Sequence, residues 1–129
     1  MTYKEKIAKA KKDERLFVFN KFNGRCAYCG SNLNLEYFHV DHVIPKRRYK
    51  YPHDCETGSD SVENLFPSCS SCNSCKSDLS IEGFRYRIMD RLERLNEYSS
   101  EYRIAKRFGL VTEFSDDVIF YFEKVMKNG

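Results

Sequence analysis

No run of apolar residues in this chain approaches the roughly 20 needed to cross a bilayer. The N-terminus, Met1-Thr2-Tyr3-Lys4-Glu5-Lys6, is charged and lacks the apolar stretch of a secretory signal. No internal repeat and no low-complexity tract is present, which argues against a solenoid or a composition-driven linker. Together these absences predict a cytoplasmic protein. That placement bears on the six cysteines, because in a reducing compartment closely spaced cysteines hold metal more often than they form disulfides.

The 129 residues suit one domain with a real but small core. Charged residues make up 32% and hydrophobic residues 41%, a globular rather than a disordered balance. The net charge of +3 is unevenly spread. Residues 1–25 carry eight Lys/Arg against three acids, residues 26–78 five against seven, and residues 79–129 nine against nine. A basic arm beside an acidic centre suits a polyanionic partner, with cations filling the centre, although many soluble proteins carry a basic helix.

Cys26-Ala27-Tyr28-Cys29-Gly30 reads as a zinc knuckle: two thiolates at this spacing share one Zn²⁺, and the following glycine lets the backbone turn tightly. A second pair, Cys69-Ser70-Ser71-Cys72, follows with 39 residues between Cys29 and Cys69. Two such pairs in one short chain favour a tetrahedral site built from Cys26, Cys29, Cys69 and Cys72, which fastens the middle segment's start to its end. Cys75 also stands three residues after Cys72, so Cys72/Cys75 competes on spacing. Cys69/Cys72 is preferred because a helix is expected to begin near Asn73, with Cys75 a turn inside it. Cys55 lies in a polar stretch and reads as a free thiol.

Residues 3–22 favour helix, with Ile7, Ala8, Leu16, Phe17, Val18 and Phe19 as apolar positions and Asn23-Gly24 as the stop. This helix is expected to pack on the metal core, and Lys4, Lys6, Lys9, Lys11 and Lys12 are either solvated or phosphate contacts. Residues 33–43 read as one or two short strands ended by Pro45. Residues 46–63 form a polar loop, and eighteen residues without regular structure inside a compact domain point to a functional loop. Leu65-Phe66-Pro67 is a short apolar piece, and residues 73–79 read as helix. Beyond Ser80, an N-cap, Ile81, Phe84, Ile88, Leu92 and Leu95 recur at helical spacing. A shorter helix is expected over 100–108, closed by Gly109, with its apolar residues in the core. Residues 118–122 lean to strand on their aromatic and β-branched content, though Ser115-Asp116-Asp117 resembles a helix cap.

Inside the cysteine frame lie Asp41-His42-Val43-Ile44-Pro45, Glu63-Asn64-Leu65 and Cys72-Asn73-Ser74-Cys75-Lys76. Taken singly, each polar residue is ordinary turn or surface content. Taken together, with Gly24-Arg25-Cys26-Ala27-Tyr28-Cys29-Gly30 before them, they closely resemble the HNH nuclease family over residues 24–76. The asparagine at 73 stands where many members carry the final histidine. The resemblance implies a small ββα-metal core, and with the Cys₄ zinc site and the helices read on either side the expected fold is α+β, a zinc-stapled ββα-metal core flanked by N-terminal and C-terminal helices. One domain spans 1–129, with a basic helix at 1–23, the zinc-stapled core at 24–79 and a mainly helical extension at 80–129.

The resemblance also implies a metal-dependent endonuclease acting on DNA. Asp41 and Asn73 would hold one catalytic cation, Mg²⁺ or Mn²⁺, since hard cations take oxygen donors. His42 would be the general base, a role suited to imidazole, whose ordinary pKa of about 6.5 leaves it largely neutral at pH 7. Asn64 would brace the long loop and help hold the His42 ring. Lys46, Arg47, Arg48 and Lys76 are candidate phosphate contacts, which position nucleic acid without reading sequence. His39 reads as a strand-packing or surface residue and His53 as solvated. An enzyme cutting both strands would pair two copies. The alternative, a non-catalytic zinc-stabilised nucleic-acid-binding module, explains the cysteines and the basic arm but leaves Asp41, His42, Asn64 and Asn73 as coincidences. A zinc hydrolase is disfavoured because four cysteines leave no open position for water.

Overall fold

The computed structural model describes residues 1–46, 58–114 and 116–128. The loop residues Arg47, Arg48, His53 and Cys55 lie outside the described residues, as does Ser115. The chain runs α1 (Tyr3–Asn20), β1 (His39–His42), a 3₁₀ turn (Val62–Asn64), β2 (Leu65–Ser68), α2 (Ser70–Lys76), α3 (Ile81–Tyr98), α4 (Ser100–Arg107) and α5 (Tyr121–Asn128). The α+β class holds. No helix among the described residues is long and apolar enough to cross a membrane.

Helix α1 starts at a capping box: the Thr2 hydroxyl accepts from Glu5 N at 3.1 Å, and Glu5 Oε2 accepts from Thr2 N at 3.0 Å. It ends at Asn23 and Gly24, whose φ values of 57° and 75° take the left-handed region that a continuing helix cannot use. Residues 1–14 are all exposed, so only the last turns reach the body, through Val18, Phe19 and Phe22. The expectation of a helix packed on the metal core therefore holds for its C-terminal end alone. Arg15 ties that end down, with Nη2 donating to Phe38 O at 2.7 Å and its guanidinium 4.0 Å from the Phe38 ring centroid.

Strands β1 and β2 form an antiparallel ribbon in the register His39↔Ser68, Val40↔Pro67, Asp41↔Phe66 and His42↔Leu65. Only His39–His42 of the expected 33–43 region is strand. The piece at Leu65-Phe66-Pro67 is the partner strand, which was not expected. Pro67 is tolerated because its ring nitrogen needs no ladder partner in a two-stranded ribbon, and its carbonyl accepts from Ala27 N at 2.9 Å. The knuckle is thus hydrogen-bonded to the sheet. Its other side holds the C-terminal segment: Tyr121 N donates to Tyr28 O at 3.0 Å and Phe122 N to Ala27 O at 2.7 Å.

The strand expected over 118–122 is not formed. The chain has no regular structure over 117–120 and turns into α5 at Tyr121, where Glu123 Oε1 accepts from Phe120 N at 2.9 Å. The aromatic content serves packing instead. Phe84 and Phe120 stack at 5.0 Å, Tyr28 meets both edge-on at 5.2 and 5.5 Å, and Phe66 lies 5.0 Å from Phe122. This aromatic cluster, with Cys26 at its edge, is the main core. Ser80 caps α3 as expected, its hydroxyl accepting from Gly83 N at 3.1 Å. Helix α4 has no buried residue and Ile104 is half exposed, so the expected core role for its apolar residues fails.

Candidate metal and catalytic centre

The four sulfurs of Cys26, Cys29, Cys69 and Cys72 all lie within 4.8 Å of one another. Cys29 Sγ and Cys69 Sγ are 3.8 Å apart, the edge of a tetrahedron with metal–sulfur bonds of about 2.3 Å. Crowding the thiols has an electrostatic cost. The Cys26 thiol is drawn down by the hydrogen bond from Cys72, while the same bond, burial and the Cys26 charge push Cys72 up. Burial likewise pushes Cys69 up. A dication among the four removes that mutual repulsion, so the donor set and its spacing fit zinc. Cys75 sits on the same helix but outside the group.

The preference for Cys69/Cys72 over Cys72/Cys75 stands, but its reason does not. Helix α2 begins at Ser70, not Asn73, so Cys72 and Cys75 are both helical. Cys69 is the N-cap, its sulfur accepting from Cys72 N at 3.4 Å.

Asp41 is 6% exposed on the centre of β1. Its Oδ2 accepts from the Tyr28 hydroxyl at 2.5 Å and is paired with Lys76 Nζ at 3.1 Å. Lys76 is fully buried, and its Nζ also donates to His42 O at 2.9 Å. The surface phosphate contact expected of Lys76 is therefore replaced by an internal one: α2 packs on β1, and the ammonium is spent on Asp41 and the strand backbone. Burial and the adjacent Asp41 charge push the Tyr28 phenol upward, so it stays a donor. Among the described residues, neither Asp41 Oδ1 nor the Asn73 side chain takes a hydrogen bond. Oxygen donors left open on two packed elements fit a hard divalent cation.

His42 is about one-third exposed, and its Nε2 lies 2.9 Å from Asp60 Oδ1. Lys46 Nζ donates to the other Asp60 oxygen at 2.7 Å. The bond from Lys46, then that from His42, hold the Asp60 carboxyl below the usual range. An ionised carboxylate only accepts, so Nε2 is the donor to Asp60, and in the neutral ring Nδ1 is the nitrogen with the lone pair. Asn64 spans the neck of the long loop. Its Oδ1 accepts from Ile44 N at 2.8 Å, and its Nδ2 donates to Ile44 O at 3.0 Å and Ser59 O at 2.8 Å. It braces both arms, but the His42 ring is held by Asp60, one residue beyond Ser59, rather than by Asn64 itself. His39 is exposed at the start of β1. Lys21 secures the same region from below, its Nζ donating to Val62 O and, at 2.8 Å, to Leu65 O.

Residues 26–79 match the sequence model of the family described as HNH endonuclease. The matched segment holds both cysteine pairs and Asp41, His42, Asn64 and Asn73. A curated relative, the SPbeta prophage-derived putative HNH endonuclease YoqL of Bacillus subtilis (strain 168), is 30% identical over 61 residues. The match covers 47% of this chain and 26% of that protein, so the chain spans about a quarter of its relative's length. Among solved structures, the Type II-C Cas9 enzyme from Actinomyces naeslundii is similar at 18% identity and a TM-score of 0.47, over 74% of this chain and 10% of that one. The family description is that of an endonuclease, and the match supports a nuclease activity at the level of the family alone.

Tyr28 and Asp60 were not anticipated as parts of the site. Tyr28 had a signal, its place between two cysteines of the four-sulfur group. Asp60 had none, being one of several polar residues in a loop without periodicity.

Proposed function

We propose that this chain hydrolyses DNA phosphodiester bonds, with His42 as general base, Asp41 and Asn73 holding one Mg²⁺ or Mn²⁺, and Cys26, Cys29, Cys69 and Cys72 holding a structural Zn²⁺. The observation that carries the reading is the His42–Asp60 contact at 2.9 Å beside the buried Asp41. It fixes one ring nitrogen and leaves the other as a proton acceptor.

His42 Nδ1 takes a proton from the attacking water, whose oxygen bonds to phosphorus as the bond to the 3′ oxygen breaks. The products carry 5′-phosphate and 3′-hydroxyl ends. A bound divalent cation supplies charge neutralisation at the scissile phosphate and at the departing oxygen. Asp60 and Lys46 keep the ring oriented through the step, and Asn64 keeps the loop neck closed behind it. The exposed lysines of α1, with Lys46, Arg47 and Arg48, are placed in the phosphate-contact role. A second copy facing the opposite strand would turn nicking into double-strand cutting.

The reading is tested by incubating zinc-loaded protein with supercoiled plasmid under EDTA, Mg²⁺ and Mn²⁺. Cation-dependent relaxation or linearisation, with 5′-phosphate ends, supports it. Intact plasmid under all three conditions, with DNA retained in a gel-shift assay, favours the non-catalytic binding module.

A further inference from the structure

We propose that Tyr28 and Lys76 are positioning residues for Asp41: they hold Oδ2 between them and so present Oδ1 to the divalent cation. The inference rests on Asp41 being a cation ligand, as above, and adds how its carboxylate is set. Both contacts of this buried side chain fall on one oxygen, Tyr28 Oη at 2.5 Å and Lys76 Nζ at 3.1 Å. Charge-assisted bonds of this kind are short and directional. They fix the carboxylate plane, which a strand side chain would otherwise leave free to rotate.

The two donors come from the two elements that the zinc site joins. Tyr28 lies between Cys26 and Cys29, and Lys76 closes the helix that Cys69 caps and Cys72 enters. Tyr28 cannot swing away. It is 3% exposed, its ring is packed edge-on against Phe84 and Phe120, and its carbonyl accepts from Tyr121 N. Lys76 is equally confined, fully buried with a second bond to His42 O. The structural metal therefore sets the spacing of the clamp that orients the catalytic ligand, and the two metal sites are mechanically coupled.

Tyr28→Phe is the cleanest probe, since it removes the hydroxyl while keeping the ring and the charge. Zinc-loaded wild type, Tyr28→Phe, Asp41→Ala and Tyr102→Phe are titrated with Mn²⁺ by calorimetry, with zinc content assayed alongside. Tyr102 also donates to a carboxylate, Glu113 at 2.7 Å, but in the C-terminal extension. Partners of metal ligands typically contribute about 10–100-fold in affinity, so Tyr28→Phe should weaken Mn²⁺ binding by that factor with zinc retained. Tyr102→Phe should bind as wild type. Wild-type affinity in Tyr28→Phe, with binding lost in Asp41→Ala, overturns the clamp and leaves Asp41 a ligand. Wild-type affinity in Asp41→Ala overturns both. If Tyr28→Phe loses zinc, wild-type protein labelled at tyrosine ¹³Cζ decides the matter. The Tyr28 signal must shift as Mg²⁺ saturates while Tyr102 stays still, and an unmoved Tyr28 signal refutes the clamp.

Discussion

Replacing Lys76 by Met tests the buried ion pair that joins α2 to β1. Lys76 Nζ lies 3.1 Å from Asp41 Oδ2 and 2.9 Å from His42 O, and the two side chains are 0% and 7% exposed. Methionine fills a similar volume but leaves Asp41 buried beside Tyr28 without a cation and His42 O without its donor. Removing one partner of a buried pair costs about 3–5 kcal/mol, a large share of the ~5–15 kcal/mol that holds a domain together. At this chain length about 3–6 °C is lost per kcal/mol, so the melting temperature should fall by roughly 10–30 °C. Urea unfolding at a fixed excess of zinc measures the loss without a change in metal linkage. Adding Asp41→Asn to Lys76→Met removes the uncompensated charge and keeps an oxygen to accept from Tyr28, so most of the lost stability should return. A Lys76→Met protein within about 1 kcal/mol of wild type, or a double variant no better than the single, would refute the reasoning.

Three further outcomes follow from the same geometry. A Cβ added at Gly58 would stand 1.6 Å from Ile44 O and 2.7 Å from Asn64 Nδ2, so Gly58→Ala should open the loop neck, lower stability by about 1–3 kcal/mol and slow cleavage with zinc retained; unchanged melting and rate would exclude this packing. Cys26→Ser should lose zinc and unfold whereas Cys75→Ser should keep both, as metal analysis and thermal melting will show; zinc loss in Cys75→Ser would revive the Cys72/Cys75 pairing. The Glu113 carboxyl is held down to about 2 by Tyr102, then Asn96 and Lys106, so its support of α3 and α4 is complete above the unfolded value of 4.5 and is lost progressively as the pH falls from there through about 2. Carboxyl ¹³C spectra should show Glu113 still ionised at pH 4, where an unconstrained glutamate is largely protonated.

The parts of this molecule written in short spacings were legible. The two Cys-x-x-Cys pairs announced the four-sulfur group, whose spacing is that of a coordination site. Ser80 and the Ile81–Phe84–Ile88 periodicity announced α3. Elements defined by tertiary partners were not legible. Strand β2 hid behind Pro67, since a proline in four residues argues against a strand unless its partner is known. The start of α2 was misplaced because a sulfur at Cys69, rather than a hydroxyl or carboxylate, supplies the cap. The segment around Phe120 has strand-forming residues but meets the knuckle through two backbone bonds, Tyr121 N to Tyr28 O and Phe122 N to Ala27 O, and it packs its rings and turns into helix. Lys76 looked like a surface base because lysine is almost never buried unpaired; only the fold reveals that Asp41 waits for it.

Within the proposed site, Asp41, His42, Asn64 and Asn73 are the residues that the resemblance to the HNH family singles out. Their supports, Tyr28 beneath the carboxylate and Asp60 behind the imidazole, come from a knuckle interior and a loop mouth. No periodicity links these places to β1, and the ribbon, the zinc frame and the Asn64 brace bring them together.

The most direct test of the central claim is the single-turnover cleavage rate of His42→Ala at saturating Mg²⁺ or Mn²⁺, measured on protein with wild-type zinc content and melting temperature. Removal of a positioned base predicts a fall of roughly 10²–10⁴ with folding intact. Cation-dependent cleavage at the wild-type rate would contradict the assignment of His42 and, with it, the chemistry proposed for this centre.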